Sequence, residues 1–180
     1  MSHSDFAALT ESWHDFYLTA GAAAAALTGL LFVGISINLD AFTTDEGTGI
    51  RLLAEQAFAN FVFVLVISLM VLIPDQDQIS LSIQLAIVGV LGTFRIVRRA
   101  LMLRRRSAEV FGGWRYVARR FGLSALASVG VIAVAVLVRT NPTASFYWLV
   151  GVILIYLTSA ADSAWDLLIE VGRERGARAG

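Results

Sequence analysis

Residues 16 to 39 read FYLTAGAAAAALTGLLFVGISINL, a run of 24 residues without a charged side chain. In an α-helix such a run extends about 36 Å, and the hydrocarbon layer of a bilayer is about 30 Å thick. Glu11 and Asp15 precede the run and no Lys or Arg does, whereas a cleaved signal peptide begins with basic residues. The run therefore predicts a retained membrane-spanning helix.

Four further charge-free windows follow, at residues 56–74, 78–94, 121–138 and 140–161. With the first, they hold 100 of the 180 residues, and the mean hydropathy of the chain is +0.72. This separation of apolar and charged residues is expected where hydrocarbon penalises charge. We predict an all-α integral membrane bundle, a single domain over residues 1–180, with five transmembrane helices at about 16–39, 52–73, 79–97, 121–138 and 144–165.

The connecting segments are short, with one exception. Apolar residues recur at helical spacing over residues 5–17, which predicts a short N-terminal helix on the membrane surface with Ser4 as its N-cap. Residues 40–50 predict a loop, residues 98–120 a basic cytoplasmic loop, and residues 172–180 a disordered tail. The chain has no Cys, which excludes disulfides and thiolate chemistry.

The arginines predict the orientation, because cytoplasmic flanks retain positive charge. All 14 basic residues are Arg, and 13 of them fall at the ends of the spans that share a side with residues 98–120. We therefore expect the N-terminus outside and the C-terminus in the cytoplasm. Aromatic residues typical of membrane interfaces flank spans one and five at their outer ends: Trp13, Phe16, Tyr17, Phe146, Tyr147 and Trp148.

Span one carries small residues at every fourth position, Gly21, Ala25 and Gly29. This spacing lets another helix approach closely. It does not indicate whether that helix belongs to the same subunit or to a second copy. Packing inside one subunit is the default interpretation of this row, with a contact between subunits as the alternative; for the assembly as a whole we expect a homo-oligomer formed through such small-residue faces.

Polar side chains inside the spans are costly, and any functional interpretation starts from them. Span two places Gln56, Asn60 and Ser68 on one helix face, and span three places Gln84 and Arg95 on one side. Neighbouring spans three and five would bring acids and arginines to one depth, which predicts a polar route or ion-pair cluster of Gln56, Asn60, Ser68, Gln84, Arg95, Arg98, Arg99, Asp162 and Asp166. The alternatives for the charged members are simple anchoring at the headgroup level, a gate, or a partner-binding surface.

The basic segment and the N-terminal segment each suggest a ligand. Anionic lipid headgroups on the cytoplasmic side are the expected partners of Arg104, Arg105, Arg106, Arg119 and Arg120. Nucleic acid is not expected, because no reader fold or stacking platform is recognisable. Glu11 and His14 have the Glu-x-x-His spacing of di-iron bundles, but the pattern occurs once, so we expect no metal and no cofactor.

Enzymatic motifs are missing from the sequence: it has no G-x-S-x-G, no H-E-x-x-H and no G-x-x-x-x-G-K. The string from Trp13 to Tyr17, followed by Gly21, the alanine run and Leu27 to Ser36, resembles the opening of a group of small multi-span bacterial membrane proteins. That resemblance covers about the first quarter of the chain. It implies a bacterial inner membrane and no particular activity or site residue.

Two functions are consistent with these features. The first is a non-enzymatic membrane protein, a homo-oligomeric structural or interaction component with a basic cytoplasmic surface. The second is a small ion channel or transporter with a polar route lined by spans two, three and five. A transporter requires the polar residues to converge on one cavity or oligomer axis, whereas the first function requires them only to be paired or at interfaces.

Overall fold

The computed structural model describes residues 2–39, 48–106 and 114–179. Within these ranges the chain is helical and contains no strand. The six helices run as follows: α1 His3–Ser12, α2 His14–Ile37, α3 Thr48–Val71, α4 Gln78–Arg106, α5 Trp114–Thr140 and α6 Pro142–Ala179.

Five of these helices, α2 to α6, are long and apolar enough to cross a membrane. Each overlaps most of one of the five predicted spans, so the all-helical fold and the number of long apolar helices are confirmed. Length and composition together suggest a multi-pass membrane protein. The predicted loop over 40–50 falls largely on residues 40–47, which lie outside the described residues, and α3 already begins at Thr48.

Two of the predicted non-helical segments are helical where the structure describes them. Helix α4 extends to Arg106, and α5 begins at Trp114, so both described ends of the predicted 98–120 loop are helical. Helix α6 extends to Ala179, and the expectation of a disordered tail over 172–180 is therefore not met. Arginine is a good helix former, and Glu170 and Arg173 form an i,i+3 ion pair of 3.8 Å on this extension.

The N-cap of the N-terminal helix lies two residues earlier than predicted. Ser2, rather than Ser4, is the N-cap of α1: its Oγ accepts a hydrogen bond from the backbone N–H of Asp5, and the Asp5 carboxylate accepts one from the Ser2 backbone. These hydrogen bonds with Ser2 lower the pKa of Asp5. The capping box explains the start of the helix because it satisfies two of its free backbone donors.

Aromatic side chains hold α1 and the start of α2 against the start of α6. The Trp13 ring lies 4.8 Å from that of Tyr147 and 6.1 Å from that of Phe146, measured between centroids. The Tyr17 hydroxyl donates to the Phe146 carbonyl at 3.3 Å. The chain turns at Trp13, and this cluster fixes the angle at which α1 leaves α2.

Helices α3, α6, α5 and α4 pack in that order around a common core, and α3 and α4 also touch each other. Helix α2 packs against the outside of α3, near α6 at one end. We name the two ends of the bundle by their composition. The arginine-rich end is the one at which α2, α4 and α6 finish and α3 and α5 begin; the aromatic end holds Trp13 and Phe146.

The outside of the bundle is strongly apolar. Large hydrophobic side chains that are more than half exposed lie on all five long helices: Leu18, Leu30, Leu69, Ile83, Val90, Leu126, Val136, Leu154 and Leu168 are examples. Soluble proteins rarely expose apolar surface this continuously. The exterior is consistent with hydrocarbon as the surrounding solvent.

Candidate functional site: a buried amide and hydroxyl cluster

Three helices each contribute polar side chains to one buried point in the arginine-rich half of the bundle. Helix α3 contributes Gln56 and Asn60, which lie on one face because they are four residues apart. Helix α5 contributes Ser124 and α6 contributes Ser159. All four side chains are at most 3% exposed. We call these four residues the amide–hydroxyl cluster.

The Ser124 hydroxyl is the centre of this cluster. It accepts hydrogen bonds from Gln56 Nε2 at 2.6 Å and from Asn60 Nδ2 at 2.9 Å. Asn60 Nδ2 also donates to Ser159 Oγ at 3.1 Å, and the two serine hydroxyls lie 2.9 Å apart. These contacts join α3, α5 and α6, so the cluster fixes the rotation of three helices relative to one another.

A second layer continues from the cluster toward the middle of the bundle. The Ser128 hydroxyl lies 2.8 Å from the Tyr156 hydroxyl and donates to the Ser124 carbonyl at 2.9 Å. The Tyr156 ring stacks on Phe63 with 5.6 Å between centroids, and the Arg95 guanidinium carbon lies 5.8 Å from the centre of the Phe63 ring. Arg95 thus lies at the edge of the core, between α3 and α4.

Toward the aromatic end the core becomes apolar. Side chains that are at most 2% exposed fill the interior there: Val64, Ile67, Leu85, Val131, Leu149 and Ile153. A polar route across the membrane would require water-accessible polar groups through this half as well. The buried serines of this half, Ser68, Ser82 and Ser145, lie apart from one another among these apolar residues, and Ser82 and Ser145 donate to the backbone carbonyls of Ala135 and Pro142 at 2.6 Å each.

Arg95 and Arg99 of α4 contact Glu55 and not the predicted acidic partners, Asp162 and Asp166. Arg99 forms an ion pair with Glu55, and Arg95 Nη2 donates to the Glu55 backbone carbonyl at 3.2 Å. Both contacts join α4 to α3. Asp162 and Asp166 lie on the exposed face of α6, and the structure does not bring them to Arg95, Arg98 or Arg99. The reason is the order of the helices: α4 packs against α5 and α3, so spans three and five are not the neighbours that the ion-pair prediction required.

Three other residues of the predicted polar route lie apart from the cluster. Ser68 is buried against Gly21 of α2. Gln84 accepts a hydrogen bond of 2.7 Å from Gln76 at the aromatic end. Arg98 is exposed. The structure therefore brings together Gln56 and Asn60 in one place and Arg95 and Arg99 in another, at Glu55, and the remaining predicted residues lie apart from both.

The small residues of span one divide into two groups. A Cβ added to Gly21 would lie 3.0 Å from the Ser68 Cβ, so this position packs inside the subunit. Ala25 and Gly29 are exposed, and a Cβ at Gly29 would meet nothing within 4 Å. The row is thus an internal contact at Gly21 and an uncovered surface at Ala25 and Gly29.

A tighter helix approach lies elsewhere, between α4 and α5. A Cβ added to Gly89 would lie 2.5 Å from Ile132 Cγ1 and 3.0 Å from the Ile132 backbone nitrogen. A Cβ added to Gly92 would lie 2.8 Å from Ser128 Oγ. Glycine at both positions is required by the distance between the helices, and not by the backbone conformation.

The predicted lipid-headgroup arginines and the pair of Glu11 and His14, for which no metal was expected, lie apart from the amide–hydroxyl cluster in the sequence. Arg104, Arg105 and Arg106 end α4 and Arg119 and Arg120 lie near the start of α5, but their side chains fall outside the described residues. Among the described residues, no group of three His, Asp or Glu side chains has a metal-binding arrangement. His14 Nδ1 lies 3.3 Å from an Asp15 carboxylate oxygen, and both side chains are exposed.

Several members of the site are not evident from sequence. Ser124 and Ser128 are four residues apart, as are Ser159 and Ser163, and each pair marks one helix face. Serine alone is a weak signal because its hydroxyl often bonds to its own helix, as Ser163 does to the Ser159 carbonyl at 2.9 Å. Taken together, the two serine pairs and the pair of Gln56 and Asn60 mark a polar face on each of three helices, and this combination would have indicated the cluster. Glu55 was missed because it lies beside a charge-free window.

Comparisons with other proteins found no match: no protein family, no curated protein and no solved structure is significantly similar to this chain.

Proposed function

We propose that this chain is a non-enzymatic, multi-pass membrane protein that acts as a structural or interaction component. The observation that carries the proposal is the amide–hydroxyl cluster. Gln56 and Asn60, two of the polar side chains on which a transport route would depend, are instead bonded to Ser124 and Ser159 inside a single subunit, and mainly apolar side chains fill the half of the core beyond them. Polar residues paired in this way stabilise a bundle and set the positions of its helices.

The surface is the part of the molecule that remains for interaction. We propose a homo-oligomer in which the exposed small-residue face of α2, at Ala25 and Gly29, contacts a second copy. Small residues at four-residue spacing favour such contacts in a membrane. Exposure of these two residues supports an intermolecular role, since no helix of the same subunit covers them in the described ranges.

The location follows from the distribution of charge. We propose a bacterial inner membrane, with the N-terminus outside and the arginine-rich end in the cytoplasm. Thirteen of the 14 arginines lie at or near that end, and Arg139 lies near the other. Anionic lipid headgroups are the proposed partners of the arginine-rich end.

Two measurements test this function. Liposomes that contain the purified protein are expected to be no more permeable to a panel of small ions and solutes than protein-free liposomes. Flux that Asn60→Leu abolishes would overturn the proposal in favour of a channel or transporter.

Crosslinking in membranes is expected to capture oligomers, and Gly29→Leu is expected to reduce their yield. Gly34→Leu is the matched control, because Gly34 is exposed on a different face of α2 with open space around it. Equal oligomer yields from the two variants would remove the small-residue face from the proposal.

A further inference from the structure

A groove opens on the outside of the bundle between α2 and α3, in the arginine-rich half. Its volume is about 280 Å³. The walls are apolar and the end is charged; the lining residues are Phe32, Ile35, Arg51, Ala54, Glu55 and Phe58. The Phe32 and Phe58 rings meet edge to face across it, with 5.3 Å between centroids. Phe32 is 55% exposed, so the groove is accessible from the surroundings of the bundle.

The charged end of this groove has an excess of positive charge. Arg51 and Glu55 lie on one face of α3, four residues apart, and Glu55 is neutralised by its ion pair with Arg99 of α4. Arg95, which bonds to the Glu55 carbonyl, adds a further cation nearby. Arg51 and Glu55 are the charged residues of the lining, and Arg95 and Arg99, which contact Glu55 from α4, bring the charges around this end to three guanidinium groups and one carboxylate. A guanidinium group presents paired N–H donors that suit the oxygens of a phosphate.

The groove covers about two thirds of the depth of one leaflet of a bilayer. From Arg51 to Phe58 the helix rises about 10 Å, against about 15 Å for half of the hydrocarbon core. An arginine at the end of a span reaches the headgroup level, so its phosphate ligand would lie there and the apolar walls would lie below it. The surface thus combines an anion-binding end with an acyl-chain-sized apolar trough.

We propose that this groove binds one anionic phospholipid, with the headgroup phosphate at Arg51 and an acyl chain lying along Ile35, Phe32 and Phe58. The inference deepens the proposed function, since it rests on membrane insertion and assigns a lipid to a defined site. Arg99 acts through Glu55: without the ion pair, the carboxylate would repel the phosphate. The lipid is selected for a negative headgroup by the excess of arginine and for a chain by the apolar walls.

The test is native mass spectrometry of the purified full-length protein after addition of phosphatidylglycerol and phosphatidylcholine with the same acyl chains. We expect one phosphatidylglycerol retained per chain in preference to phosphatidylcholine. Arg51→Ala is expected to weaken that retention about fivefold, and Phe32→Ala to weaken retention of either lipid. Arg98→Ala and Phe94→Ala are the matched controls, because both residues are exposed on α4 away from the groove. Neither control is expected to change retention.

One further variant distinguishes a lipid site from a loss of folding, because the two would change phosphatidylglycerol retention in opposite directions. Glu55→Gln removes a negative charge beside the phosphate and is expected to strengthen phosphatidylglycerol retention, whereas a damaged fold would weaken it. Arg51→Lys, which keeps the charge, is expected to retain most of the binding. Glycerol phosphate, which carries the headgroup without chains, is expected not to compete at equal concentration.

Four results would overturn the site. Equal retention of the two lipids would show that charge does not select the ligand. Equal losses from Arg51→Ala and Arg98→Ala would indicate general attraction to a basic surface, in which case the proposed function stands and the site is wrong. Full competition by glycerol phosphate would indicate a free phosphate ligand. A disulfide between two copies of an Ile35→Cys variant would show that a second chain covers the groove.

Discussion

Asn60 offers the most direct measurement of what the amide–hydroxyl cluster contributes. The side chain is 2% exposed, and Asn60→Leu replaces it with an apolar group of similar size. The change removes three interhelical hydrogen bonds: from Nδ2 to Ser124 Oγ at 2.9 Å, from Nδ2 to Ser159 Oγ at 3.1 Å, and from Ser124 Oγ to Oδ1 at 3.2 Å. Neither serine becomes an orphan, since the two hydroxyls lie 2.9 Å apart.

The expected loss follows from the number of bonds. Interhelical hydrogen bonds between side chains in membranes contribute about 0.6 kcal/mol each on average, with a maximum of about 1.7. Three bonds therefore give a loss of about 2 kcal/mol in the free energy of unfolding, or roughly a thirtyfold change in the folding equilibrium constant at 25 °C. This is a large fraction of the total stability of a single domain, about 5 to 15 kcal/mol.

The assay is reversible unfolding of the purified protein in mixed micelles by titration with sodium dodecyl sulfate, followed by tryptophan fluorescence. Thr158→Val is the matched control, because Thr158 is exposed on α6 and its hydroxyl bonds to the Leu154 carbonyl of its own helix at 2.9 Å. The control is expected to change stability by less than about 0.5 kcal/mol. A double-mutant cycle with Ser124→Ala measures the coupling directly. If Asn60→Leu costs no more than the control, or the cycle shows no coupling, the cluster does not hold the helices together.

Three further predictions concern the fold and its orientation. Gly89→Ala is expected to reduce stability by about 1 to 3 kcal/mol in the same assay, because its Cβ would meet helix backbone, whereas Gly151→Ala, with open space around it, is expected to have little effect. The Asp77 carboxylate accepts hydrogen bonds from the side chain and backbone of Ser80 and from the backbone of Ile79, and these bonds lower its pKa below 3.8. The ionised carboxylate therefore stabilises the folded state fully above pH 3.8, and this contribution is lost as the pH falls through the lowered pKa. Asp77→Ala is expected to weaken the acid dependence of unfolding. In the absence of native Cys, a cysteine at Ser2 is expected to react with an impermeant maleimide in intact cells, and one at Ala179 only after lysis; the reverse pattern would contradict the orientation.

The long apolar helices were predictable because hydrocarbon acts on each residue independently of its neighbours. A charged side chain is costly in a bilayer wherever it occurs, so the five windows are visible in the sequence without any knowledge of packing. Helix ends were not predictable by the same means. A charge ends the stretch that favours hydrocarbon but does not end a helix, and for this reason α4 continues to Arg106 and α6 to Ala179.

Which helices are neighbours depends on contacts between residues far apart in the sequence. The spacing of small and polar residues within each span was not enough to predict these contacts. The small-residue row of span one indicated a close approach, yet a tighter approach is at Gly89 and Gly92, where single glycines face α5. Gln56 and Asn60 were correctly placed on one face, but the partners of Asn60, Ser124 and Ser159, are 64 and 99 residues away. A periodic pattern indicates which side of a helix packs, and does not indicate what packs against it.

The pairing of Arg99 with Glu55 determines where the positive charge of α4 lies in the bundle. An ion pair of Arg99 with Asp162 or Asp166 would have joined α4 to α6 across the core and placed opposite charges at the entrance of a central path. The pair with Glu55 instead joins α4 to the outward side of α3, next to the groove that α3 forms with α2. The Arg99 charge is thereby directed to the surface of the bundle, Arg95 lies at the edge of the core over the Phe63 ring, and the amide–hydroxyl cluster itself holds only neutral amides and hydroxyls. On the exterior of the bundle, the groove at Arg51 is therefore where charge and apolar surface coincide.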